Sequence, residues 1–122
     1  MRISLFVAVF LLWAGTAVAA ERTGTFKGVA KSAAGNARVD VSSVTLTDSF
    51  STEEGPDLFV LLHKQRSPKS YAKGQYVNLG KLKQTTGKQS YSIPDTLSPD
   101  DYASVVIWCK KFDVTFAVAV LK

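Results

Sequence analysis

Beyond its first twenty residues the chain alternates with a period of two. Val39 and Val41 are interleaved with Arg38, Asp40 and Ser42, and Val44 and Leu46 with Thr45 and Thr47. Such alternation, rich in β-branched residues, marks half-buried strands. Leu58 to Leu62 is a short continuous apolar run started by the turn signal Gly55-Pro56-Asp57. Tyr76 to Leu79 and Gln89 to Ile93 read as two more strands, with Thr85-Thr86-Gly87 between them and Pro94 ending the second. Ser98-Pro99-Asp100-Asp101 has a cap residue, a proline and two acids, which predicts one short helical turn. Ser104–Cys109 and Val114–Leu121 are apolar on nearly both faces and so belong in the middle of a sheet, joined by a hairpin at Lys110–Asp113. No stretch of this region keeps a helical period over three turns. The pattern predicts an all-β single domain, an antiparallel β-sandwich or flattened barrel of about seven to nine strands.

The first twenty residues read differently. Met1-Arg2 gives a positive start, Leu5 to Trp13 an unbroken apolar stretch, and Ala17-Val18-Ala19 the small residues a signal peptidase reads. Residues 1–20 are therefore expected to be a signal peptide and residues 21–122 the domain. An uncleaved anchor is the competing reading, weakened by Gly15, Thr16, the alanines and the charged pair Glu21-Arg22. Cleavage would leave an exported protein, periplasmic or extracellular, with no membrane span. The net charge of +5 is spread along the chain, with one denser stretch from Lys64 to Lys73. That stretch reads either as a solvated loop or as a contact surface for an anionic partner. An exported chain without a recognised nucleic-acid motif is not expected to bind nucleic acid.

Conventional catalytic signatures are missing. One histidine and one cysteine cannot build a tetrahedral metal site from side chains alone, so no metal is expected. No nucleophile elbow, phosphate loop, dinucleotide fingerprint or haem-attachment motif occurs. His63 ends an apolar strand beside Lys64 and is expected to touch solvent, with roles as base or axial ligand as lesser alternatives. The lone thiol of Cys109 is the better candidate, since it cannot form an internal disulfide. Alternation places Val105, Ile107 and Cys109 on one face of their strand and Ser104, Val106 and Trp108 on the other. Cys109 ends that strand, expected half-buried yet reachable, with Lys110 and Lys111 supplying positive charge that favours thiolate. The competing reading is a small core hydrophobe.

Several segments together resemble the DM-thirteen domain family: Gly55-Pro56-Asp57-Leu58-Phe59-Val60, Leu79-Gly80-Lys81-Leu82-Lys83, Gly87-Lys88-Gln89 with Tyr91 to Pro94, Val105 to Cys109, and Phe112 to Phe116. The resemblance spans residues 24 to 122, and the Trp-Cys step is its most specific part. It implies an extracytoplasmic β domain with a role in electron transfer, found alone or beside DOMON and membrane cytochrome modules. It also implies that the cysteine, here Cys109, acts as a bare thiol or as a ligand to a group such as haem. Where the family has a small polar residue after its second motif, this chain has His63.

Two functions of different classes follow. In the first, the domain is a redox accessory working through Cys109, with Trp108, Phe112 and Phe116 as an apolar wall and an unknown redox or envelope protein as partner. A haem would need a cavity of several hundred cubic ångströms. The bare thiol needs none and is the simpler expectation; it allows a monomer or a Cys109-linked dimer. In the second, a non-catalytic envelope or extracellular binding module uses Arg66, Lys69, Tyr71 and Lys73 as its contact surface, and Cys109 is inert core.

Overall fold

The computed structural model describes residues 21–122, so the expected signal peptide lies outside the described residues. Ten strands and one 3-10 turn follow in order: β1 (Arg22–Gly28), β2 (Ala33–Ala34), β3 (Asn36–Val39), β4 (Ser43–Leu46), β5 (Ser51–Thr52), β6 (Leu58–His63), β7 (Tyr76–Lys81), β8 (Gln89–Ser92), the turn at Pro99–Asp101, β9 (Ser104–Cys109) and β10 (Val114–Val120). Eight of them form one antiparallel sheet in the order β7-β6-β9-β10-β1-β3-β4-β8, curled into a nearly closed barrel, while β2 and β5 pair separately. The all-β expectation holds, and of its two forms the barrel is the one adopted. β9 and β10 occupy central positions, as their two-sided apolar character requires.

Besides the two-residue β2 and β5, the strand absent from the alternation reading is β1, whose polar, glycine-bearing sequence hides it. It pairs with β3 through Arg22–Thr25 and with β10 through Phe26–Gly28. Gly24 makes this crossing feasible, because a Cβ there would lie 2.4 Å from the Val120 carbonyl oxygen. A bulge between Thr115 and Ala117 adds a residue to β10. Phe116 and Ala117 can then both join the interior cluster despite being consecutive.

The barrel interior is filled by inward residues of every wall, among them Phe26, Leu46, Phe50, Val60, Leu62 and Ile107. The edges β7 and β8 are not joined by a ladder. Side chains close that seam instead: Tyr91 donates its hydroxyl to Gln89 Oε1 at 2.6 Å and accepts the Lys83 amide at 2.9 Å. Gln89 Oε1 also accepts the Gln84 amide, and its Nε2 donates to the Gln84 and Gly87 carbonyls. The polar groups at this closure therefore satisfy one another.

Candidate functional site

Strand β9 carries both halves of the Trp-Cys step, and its pleat sends them to opposite sides. Val105, Ile107 and Cys109 join the interior cluster, whereas Val106 and Trp108 join a second cluster on the outer face with Leu61 and Val118. The alternation of Ser104 to Cys109 is thus observed. The thiol is more deeply placed than expected: Cys109 is 1% exposed, not half-buried. It pairs with Leu58 on one side and Val114 on the other, the last ladder pair of β9. Beyond it the exposed turn Lys110–Asp113 is fastened by the Lys110 amide donating to the Asp57 carbonyl at 3.0 Å.

The barrel is tightly filled near this end. A Cβ added to Gly55 would lie 2.8 Å from Phe116 Cζ and 3.0 Å from Leu58 Cδ2. A haem on Cys109 does not fit a barrel packed in this way, since such a ligand occupies several hundred cubic ångströms. Nor do the expected wall residues meet. Trp108 faces outward, Phe112 stands 61% exposed on the turn, and Phe116 lies in the interior. Among the described residues, no three of His, Cys, Asp and Glu gather into a metal site.

The outer face is where polar and aromatic groups converge. The basic loop after β6 folds back over β6 and β9, and Tyr71, expected as a contact residue, stacks on Trp108 with ring centroids 4.6 Å apart and planes at 18°. Tyr76 meets Trp108 edge-on at 5.7 Å and lies parallel to the His63 ring at 6.2 Å. The Trp108 indole N–H donates to Asp113 Oδ1 at 3.0 Å, and the Tyr71 hydroxyl bonds Thr115 Oγ1. Burial pushes the Tyr71 phenol above its ordinary value, and the nearby Asp113 charge adds to the rise against the Thr115 bond.

His63 differs from its expectation. It is 0% exposed instead of touching solvent, because the loop closes over it. Its Nδ1 accepts the Gln65 amide at 3.0 Å, so Nε2 carries the proton and donates to the Ser70 carbonyl at 2.9 Å. Both nitrogens are thus engaged in fastening the loop, which leaves neither for a metal or a substrate. Arg66, Lys69 and Lys73 remain exposed. Arg66 and Lys69 flank a shallow groove of about 230 Å³ floored by Val118 and Val120, with Lys27 on its other side. Tyr71 is drawn away from these cations into the aromatic cluster. Tyr76, Asp113 and Thr115 had not been singled out. Parity along β6 and β9, which puts Leu61, His63, Val106 and Trp108 on one face, was the signal that something must cover them.

The family model described as electron transfer DM13 matches residues 25–121, nearly all of the domain, and the chain belongs to that family. No curated protein and no solved structure matches the chain.

Proposed function

We propose that this member of the electron-transfer DM13 family is an exported redox accessory domain, and that Cys109 is its exchanging group, sheltered in the barrel end and reached by local opening. The observation that carries the reading is the position of the sulfur at the last ladder pair of β9, immediately before an exposed turn. Strand ends open at a lower free energy than the core. Once opened, a thiolate there would face Lys110 and Lys111. It would attack a disulfide sulfur of a partner, forming a mixed disulfide and releasing the partner's other sulfur as thiolate. Because this chain has one cysteine, a dithiol on a second partner would then attack the Cys109 sulfur, releasing the first partner as a dithiol, and its other thiol would displace Cys109, so that the disulfide, and with it two oxidising equivalents, passes from the first partner to the second. A link between two copies through Cys109 would need the same opening.

Incubating the folded domain with oxidised glutathione tests this directly. The expected product is a single glutathione adduct that Cys109→Ser abolishes, with no haem-type visible band. An adduct that forms only in denaturant would overturn the exchange reading.

The second reading, a binding module with inert core cysteine, is favoured by the 1% exposure of Cys109. The cation-flanked apolar groove beside Arg66 and Lys69 would be its contact surface. Replacing Arg66 and Lys69 together by serine should weaken capture of an acidic partner, more at low salt than at high salt. Unchanged capture would leave that reading without a surface.

A further inference from the structure

The β9–β10 hairpin holds an arrangement that packing alone does not require. Asp113 has a left-handed backbone, φ 50, and is the one non-glycine residue to do so among the described residues. Glycine fills such a position without steric cost, and among side chains aspartate and asparagine adopt it most readily. The residue here is a carboxylate, and it accepts the indole N–H of Trp108 at 3.0 Å while remaining exposed. The indole itself is 6% exposed and lies nearly parallel beneath Tyr71. Tyr71 has no comparable proton acceptor: its hydroxyl meets Thr115 Oγ1, and a threonine hydroxyl is not a base.

We propose that Trp108 is a one-electron carrier, with Asp113 as its proton acceptor and Tyr71 as the ring that holds and shields it. The step balances as follows. One electron leaves the indole for a high-potential one-electron oxidant, such as high-valent haem iron or a peroxyl radical. The indole N–H bond breaks and an O–H bond forms on Asp113, leaving a neutral indolyl radical beside a carboxylic acid. An electron from a reduced metal centre on a partner reverses both changes. This inference rests on the electron-transfer reading of the domain but not on the thiol chemistry of Cys109. The relay would exchange single electrons at the outer face, where a partner reaches the Trp108–Tyr71 stack without entering the barrel.

Flash oxidation of the domain 21–122 by photogenerated tris(bipyridine)ruthenium(III) provides the test, since Trp108 is its one tryptophan. The expected transient is the neutral indolyl radical. In Asp113→Asn, which keeps an acceptor and tolerates the left-handed backbone, the cation radical should persist, with proton loss slowed about a hundredfold. Equal rates of proton loss in both proteins would overturn the role of Asp113. Tyr71→Phe keeps the stack and should keep the transient; its loss there would make Tyr71 the carrier and overturn the assignment. The transient should also survive Cys109→Ser. Survival there, in a protein whose native thiol exchanges no disulfide, retains the relay and removes the thiol reading. Disappearance in Cys109→Ser gives the electron hole to sulfur and overturns the relay.

Discussion

The inner and outer faces of β9 are built on the same six residues and solve burial in different ways. On the inner face Val105, Ile107 and Cys109 are each 1% exposed or less, held by packing among apolar neighbours. On the outer face Ser104 and Trp108 are buried by a loop, and each is tied by a hydrogen bond, Ser104 Oγ to the Gln65 carbonyl and Trp108 Nε1 to Asp113. Packing makes the inner face intolerant of change in volume or polarity. Tethering makes the outer face sensitive to loss of particular partners, and leaves its aromatic rings within a side chain's thickness of solvent. A redox role suits the two faces differently: through-opening exchange for the thiol, direct one-electron exchange for the indole.

The largest expected effect breaks the inner face. Ile107→Ala should cost about 3 kcal/mol in denaturant unfolding, the range for deleting a buried aliphatic side chain. A loss well under 1 kcal/mol would mean that the barrel collapses around the gap and that its interior is not tightly filled. Cys109→Ser should come next, at about 2 kcal/mol, because it places a hydroxyl among apolar groups without a partner. Cys109→Ala should cost about half as much, since it removes volume only. Equal costs for the two would show a wetter site than the packing indicates.

On the outer face the effects should be smaller. Trp108→Phe keeps an aromatic ring and removes the indole N–H, for an expected loss of about 1 kcal/mol. The smallest effect is one of pH. Burial raises the Tyr71 phenol in the folded state. Its contribution is fully present below the ordinary tyrosine value of 10.0 and is lost as pH rises through the raised folded value. Tyr71→Phe should therefore flatten the alkaline decline in stability, measured by urea unfolding at a series of pH values. An unchanged decline would assign it to Tyr91 and Tyr102, which burial raises in the same direction.

Most of the barrel was legible because its strands obey the period-two rule. Ser104–Cys109 begins and ends as read, and Leu58–Leu62 gains only His63. β1 was not legible, since Arg22–Gly28 contributes just Gly24 and Phe26 to the buried side and owes its place to pairing with β3 and β10. The candidate site was half legible. Parity separated Cys109 from Trp108, but it could not show that the Lys64–Gln75 loop folds back instead of standing in solvent. His63 was misplaced for that reason, because a histidine at a strand end looks exposed until the covering loop supplies Gln65 and Ser70 as its partners. Phe112 follows from the same limit: an aromatic residue in a turn reads as a wall, and it is exposed.

The most direct test of the central claim is the rate at which native Cys109 is labelled by a neutral thiol reagent across low concentrations of denaturant. Local opening at the end of β9 predicts labelling with a shallow denaturant dependence and an opening free energy clearly below that of global unfolding. Labelling that follows global unfolding in both slope and free energy would contradict it, and would make Cys109 a core residue of a domain whose redox chemistry lies elsewhere.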